Sequence, residues 1–247
     1  MLKAILFDLD DTLIDWRNPA TNWQEGSRTH MRNVFNYLSN HIHPLEDEDG
    51  FHDLAWELTL QEWDSARRTL QAPHMGDILV KTCLTLGIPA EQIDTEILLD
   101  VYDWQPVPGV VPFDDVHEVL PILQQRGIKL GLITNAFQPM RMRIRELDAF
   151  GLTGYLHPNC RLSAADVGFL KPHPRIFQAA LDALEVEASE TVFVGDSLEA
   201  DIIGAQAVGI RGVLRVNNGF SRPTSIIPDA EIRSLHDLLP YLEEWFA

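Results

Sequence analysis

Positive charge is scarce in this 247-residue chain: 19 lysines and arginines stand against 37 aspartates and glutamates, a formal net charge of -18 at pH 7. A surface of that sign repels nucleic-acid backbones, so no nucleic-acid partner is expected. It also repels a phosphorylated substrate at long range, so any anion site must be built from local positive groups or a metal. Cysteine is nearly absent. Cys83 and Cys160 lie far apart and form no CxxC pair, which argues against a disulfide framework or a structural zinc and fits a reducing compartment. Long apolar runs are missing too. Residues 2–7 are interrupted by Lys3 and are too short for a signal peptide or a membrane span, and nothing later is long enough. There is no GxxxxGK[ST] loop, no internal repeat and no low-complexity stretch. With 45% apolar and 23% charged residues, the expectation is a soluble cytoplasmic protein with one large domain, or a core plus an insertion.

A short continuous apolar run stands at 4–7, and the segments 129–133, 191–194 and 210–216 resemble it. Runs of this kind read as strands of a parallel sheet covered on both faces. Helical patterns lie between them. One covers 117–125 and closes at Gly127; another covers 174–184, with Pro174 in the first turn and Ile176, Phe177, Ala180, Leu181 and Leu184 at helical spacing. Strand, polar turn, helix, strand predicts a doubly wound, Rossmann-like α/β core. From about residue 16 to 107 no buried-strand run occurs. Met31, Val34, Phe35, Leu38 and Ile42 mark one amphipathic helix, Ile93, Ile97, Leu98 and Val101 another, and 51–70 and 75–86 are helical as well. The expected division is an α/β core of residues 1–15 and 108–247, with an all-helical insertion of about four helices at 16–107.

Ligands bind where parallel strands end at their carboxyl edge, and three of the four runs end in polar side chains. The first ends in Asp8-Leu9-Asp10-Asp11-Thr12. A strand-end aspartate alone can simply cap a turn. Two carboxylates two residues apart can face one site, where they repel each other and a bound cation is the usual remedy. The second run ends in Thr134-Asn135, a hydroxyl followed by amides near a helix start, which suits a phosphate. The third ends in Gly195-Asp196-Ser197, with Asp201 five residues after Asp196.

In this order, the motifs resemble those of the haloacid dehalogenase (HAD) superfamily of aspartate-nucleophile hydrolases. Asp8, Asp10 and Thr12 match its DxDxT signature, Thr134 its second motif, Lys171 in the segment 168–174 its lysine, and Gly195, Asp196 and Asp201 its GDxxxxD signature. The insertion resembles the C1-type helical cap of phosphoglycolate phosphatase-like members. The resemblance implies Asp8 as nucleophile, forming an aspartyl phosphate, and Asp10 as general acid, then base. It implies Mg2+ held by Asp8, the backbone carbonyl of Asp10, and Asp196. Thr134, Asn135 and Lys171 would bind the transferring phosphoryl group, and Asp201 would orient Lys171 or a metal-bound water. Two departures stand out: the family often has glycine where Asp11 stands and aspartate where His173 stands.

The function so implied is hydrolysis of a small phosphorylated metabolite. The dehalogenases that name the superfamily lack an acid at the position of Asp10, which weighs against 2-haloacid dehalogenation. A phosphomutase would share these motifs, and an inactive binding module could be built on the same fold. His41 and His43 form no ligand set, and Ser163 and Ser197 have no triad partners. Arg67, Arg68, Arg141, Arg143 and Arg145 read as solvated helix faces. Of Trp16, Trp23, Trp56, Trp63 and Trp104, most read as core, and Trp16 as the one near the substrate.

Overall fold

Four consecutive apolar residues with no polar face need cover on both sides, and β1 (Ala4–Phe7) is buried along its whole length. In the computed structural model, which describes residues 1–20, 22–217 and 225–246, the chain runs from β1 to a short β2 (Ile14–Asp15). It then passes through α1 (Trp23–His41), α2 (Glu48–Thr69), α3 (Met75–Thr85) and α4 (Thr95–Tyr102), and returns as β3 (Val111–Pro112). Strands and helices then alternate: α5 (Val116–Gln125), β4 (Lys129–Thr134), α6 (Met140–Ala149), β5 (Arg161–Ser163), α7 (Ala164–Val167), α8 (Pro174–Leu184) and β6 (Thr191–Gly195). A π-helical turn at Leu198–Ile202 leads into α9 (Ile203–Ala207), followed by β7 (Arg211–Arg215), β8 (Ala230–Ile232) and α10 (Leu238–Phe246).

The main sheet has the order β5-β4-β1-β6-β7-β8 and every pairing is parallel. This is the doubly wound α/β fold expected from the apolar runs. Alternation along β1 sends Ile5 and Phe7 into one core with Val119, Leu123 and Leu132. Ala4 and Leu6 enter a second core with Phe177, Ala180 and Phe193. Phe7 pairs with Leu132 and with Val194, so Asp8, Thr134 and Asp196 emerge together at one edge. Gly127, after α5, has φ +76, the left-handed conformation that ends a helix cheaply.

Helices α1 to α4 bury a separate cluster that includes Met31, Val34, Leu38, Phe51, Ile78, Leu79 and Leu98. Asn22 caps α1 by accepting from the Glu25 amide, and Asp94 caps α4 by accepting from the amides of Glu96 and Ile97. Phe137 and Met142, from the β4–α6 side, pack into the same cluster. The chain enters and leaves this helical layer through β2 and β3, paired antiparallel. Contacts on the far side are made by Leu70, Ala72 and Met75: their backbones hydrogen-bond Leu170, Gly168 and Phe137. No helix among the described residues is long and apolar enough to cross a membrane.

Candidate active site

Asp8 leaves β1 with its amide donating to the Val194 carbonyl at 2.9 Å, which fixes the turn that follows. Its carboxylate is buried, 2.6 Å from Lys171 Nζ through Oδ1 and 3.3 Å from Thr12 Oγ1 through Oδ2. Lys171 Nζ also lies 2.7 Å from Asp201 Oδ1. Lys171 is thus a buried cation held between two carboxylates, not the solvated residue that a lysine before proline usually is. Burial would lower its pKa, but Asp201 and Asp8 outweigh that and push it above the ordinary lysine range. The Asn135 side chain sets its position: Oδ1 accepts from the Lys171 amide at 2.7 Å and Nδ2 donates to the Lys171 carbonyl at 3.1 Å. Asp201 is placed in turn by the Ser197 amide, which donates to its Oδ2 at 3.0 Å. A Cβ at position 195 would sit 2.3 Å from that oxygen, which accounts for glycine before Asp196.

Asp10 turns the other way. Its Oδ1 accepts from Arg143 Nη2 at 2.9 Å and Trp16 Nε1 at 2.8 Å, and its Oδ2 accepts from Thr134 Oγ1 at 3.0 Å. Burial opposes ionisation of Asp10, yet the Arg143 guanidinium and these three donors prevail and hold its pKa below the usual carboxylate value. Here the reading of Arg143 as part of a solvated helix face is overturned. Arg143 is buried and bridges Asp10 to Glu146, whose Oε2 accepts from Nε at 2.7 Å. The signal was available: in a helix, Arg141 and Arg145 share a face four residues apart while Arg143 points to the opposite side. Arg141 and Arg145 are indeed exposed, pairing with Asp100 and Asp103 at α4.

One oxygen each of Asp8, Asp196 and Asp201 lies within 4.8 Å of the other two. Burial, with Asp201 and Asp11 nearby, pushes Asp196 up to about 7. Burial raises Asp8 well above the carboxylate range as well; Lys171 opposes this, while Asp201, Asp10 and Asp196 add to it. Excess negative charge on convergent hard oxygen donors fits a divalent cation such as Mg2+. Asp10 offers this cluster no carboxylate oxygen, since both of its oxygens are engaged elsewhere.

The two departures have local explanations. Asp11 sits at φ +59, the conformation glycine adopts freely and aspartate tolerates, and its Oδ1 accepts from the Trp16 amide. His173 caps α8 by accepting from the Arg175 amide at 3.2 Å, and its ring stacks on Phe169.

A cavity of about 510 Å³ opens over these groups, walled by Trp16, Trp23, Trp63 and Phe137 as well as by the acids and bases. Of the tryptophans expected to be mostly core, Trp104 is buried in the helical cluster, and Trp63 and Trp16 are half-buried and pack against core clusters; Trp56 is half-buried and Trp23 is 40% exposed. His41, His43, Arg67 and Arg68 lie at the surface, away from the site.

A parallel α/β sheet whose first strand delivers a buried aspartate to a lysine and two further acids defines a class of hydrolases. The chain belongs to the haloacid dehalogenase-like hydrolase family, which it matches over residues 2–209. It is 32% identical to a glyceraldehyde 3-phosphate phosphatase of Pyrococcus abyssi over 216 residues, 86% of this chain and 81% of that protein. It is 30% identical to a ribulose-1,5-bisphosphate 5-phosphatase of Halopiger xanaduensis, with 87% and 84% covered. Among solved structures it resembles a 2-haloacid dehalogenase from Pseudomonas syringae pv. Tomato (TM-score 0.68, 26% identity, 99% and 100% covered). It also resembles a HAD phosphatase from Thermococcus onnurineus (TM-score 0.61, 27% identity, 98% of each chain).

Proposed function

We propose that the protein is a Mg2+-dependent phosphatase that hydrolyses a small-molecule phosphomonoester through a phosphorylated Asp8. One observation carries this reading: Asp8 shares a buried lysine with Asp201 and stands beside Asp196, while Asp10, two residues on, is held apart on its own donors. A nucleophile and an acid–base group are thereby separated in charge environment, as phosphoryl transfer requires.

Asp8 and Asp196, with the backbone carbonyl of Asp10, would hold the cation, which when bound offsets charge on the phosphoryl oxygens. An Asp8 oxygen attacks phosphorus, and the bond from phosphorus to the ester oxygen breaks as the new one forms. Lys171 faces the charge on the phosphoryl group, with Asn135 and Asp201 fixing its position. The leaving oxygen takes a proton from Asp10, and Asp10 then receives one from the water that attacks the phosphorus of the aspartyl phosphate. As found, with Arg143, Thr134 and Trp16 all donating to it, Asp10 has the form of the base. Acting as the acid requires Asp10 to carry a proton, retained from the attacking water of the preceding turnover or taken from solvent, with Oδ1 released by Arg143 to face the leaving oxygen. Residues 16–107 act as a cap that encloses the cavity and admits small substrates; the hinges lie near residues 15–17 and 105–109.

Dehalogenation is disfavoured because Asp10 supplies an acid–base group that a phosphoryl leaving oxygen needs. Phosphate release from p-nitrophenyl phosphate tests the proposal. Activity is expected with Mg2+, to be lost in EDTA and regained on Mg2+ addition. Activity undiminished in EDTA, or chloride release from 2-chloropropionate without phosphate release, would contradict it.

A further inference from the structure

We propose that the physiological ester carries an uncharged alcohol with a flat aromatic ring, bound along a strip of four rings beside Asp10. This rests on the phosphatase reading above and narrows it to a substrate class.

Charge is the first consideration. The cations lining the cavity are Lys171 and Arg143, and each is already held between two carboxylates, Lys171 by Asp8 and Asp201, Arg143 by Asp10 and Glu146. Four aspartates against two cations leave the lining negative before substrate arrives. A bound divalent ion balances the dianionic phosphoryl group and no more. A second anionic group on the substrate, a carboxylate or another phosphate, would meet no unneutralised cation among the described residues lining the cavity, and its desolvation would go uncompensated.

Shape is the second. Trp16 lies 5.8 Å from Trp23, Trp23 lies 6.4 Å from Phe137, and Phe137 lies 6.0 Å from Trp63, centroid to centroid. The four rings come from separate segments, the β2–α1 connection, the start of α1, the loop after β4, and α2. They converge on the cavity and do not form one helix face. Trp16 is pinned by its N–H to Asp10, so the strip begins where the leaving oxygen takes its proton. Trp23, 40% exposed, leaves ring surface in contact with water that a bound ring would cover. Gln138 also lines the cavity; it is buried, and its Nε2 has no partner among protein atoms.

The test compares kcat/KM for 2-phenylethyl phosphate, glycerol 3-phosphate and 2-phosphoglycolate, all esters of unactivated alcohols, with p-nitrophenyl phosphate reporting on the phosphatase reading itself. The 2-phenylethyl ester is expected to exceed both others by at least about tenfold. Trp23→Leu and Trp63→Leu are each expected to shrink that ratio by at least about threefold, through KM. Hydrolysis of p-nitrophenyl phosphate with 2-phosphoglycolate equal or preferred would overturn this inference and spare the reading beneath it. A preference unmoved by either substitution would overturn the assignment to the ring strip. Absence of p-nitrophenyl phosphate hydrolysis would overturn both.

Discussion

The strand edge and the helical layer facing it contribute to the same cavity by opposite means. At the edge, each working group follows directly from a buried strand, and the register of the parallel sheet brings Asp8, Thr134 and Asp196 together although they are far apart in sequence. Their partners are buried and charged: Lys171, Asp201 and Arg143. Among the described residues lining the cavity, the helical layer and its linker supply rings and no charged side chain. Trp16, Trp23 and Trp63 reach the cavity from three different segments, and only Trp16 makes a hydrogen bond to the acids. On the function proposed above, chemistry would be concentrated in short motifs on rigid elements, and selectivity spread over residues that share no motif.

Beyond loss of the nucleophile Asp8 itself, which should abolish turnover, the largest expected effect within the strand-edge set falls on Asp10. Asp10→Asn should lower kcat by about 10²–10⁴-fold on alkyl phosphates, and less in the transfer step with p-nitrophenyl phosphate, whose leaving group needs little protonation. Single-turnover kinetics on the two ester types would measure this. Equal losses in the transfer step would remove the acid role.

Arg143 is where the comparison can be broken. It belongs to the edge by charge, yet its guanidinium lies over the Trp104 ring of the helical side. Arg143→Gln leaves Glu146 buried without its cation and should destabilise the fold by about 3–5 kcal/mol. Adding Glu146→Gln should recover part of that loss in urea unfolding. Removing the cation also raises the pKa of Asp10, and because kcat/KM reports the transfer step, in which Asp10 is the acid, the alkaline limb of that profile should move to higher pH. Arg143→Gln with unchanged stability and an unchanged profile would make Arg143 a bystander.

How much of this was legible follows from the same physics. The strand β1 is a continuous apolar run, and β4, β6 and β7 carry enough apolar residues between polar ends to be read directly. β5 and β8 could not: each is three residues long, and Arg161-Leu-Ser163 and Ala230-Glu-Ile232 carry too little pattern to separate from loop. The pairing of β2 with β3 depends on residues nearly a hundred positions apart and leaves no local trace. At the site, Asp8, Asp10, Lys171 and Asp196 sit in spaced motifs. The burial of Arg143 was hidden by its exposed neighbours Arg141 and Arg145, and only the angle between them on the helix distinguishes it. Trp23 misled because a large apolar side chain in a helix reads as core whether a neighbouring helix or a ligand covers it.

A smaller effect concerns the acids in the absence of metal. Asp196, pushed up to about 7, binds its proton more tightly in the folded than in the unfolded chain. Its contribution to stability is then complete below the unfolded value near 3.8 and is lost as pH rises through about 7. Asp8 shifts in the same direction. In EDTA the Tm should therefore fall between pH 6 and pH 8, and Mg2+ should raise Tm more at pH 8 than at pH 6. A thermal scan in which Mg2+ stabilises equally at both values would argue against a cation on these carboxylates.

The central claim is that Asp8 becomes phosphorylated. Its most direct test is acid quench of the Asp10→Asn protein turning over p-nitrophenyl phosphate with Mg2+, followed by peptide mapping. The leaving group needs little help from an acid while hydrolysis of the intermediate still needs the base, so the intermediate should accumulate. The account predicts a phosphoryl group on Asp8, absent when Asp8→Asn is added. A phosphoryl group on another residue, or wild-type turnover by Asp8→Asn alone, would contradict it.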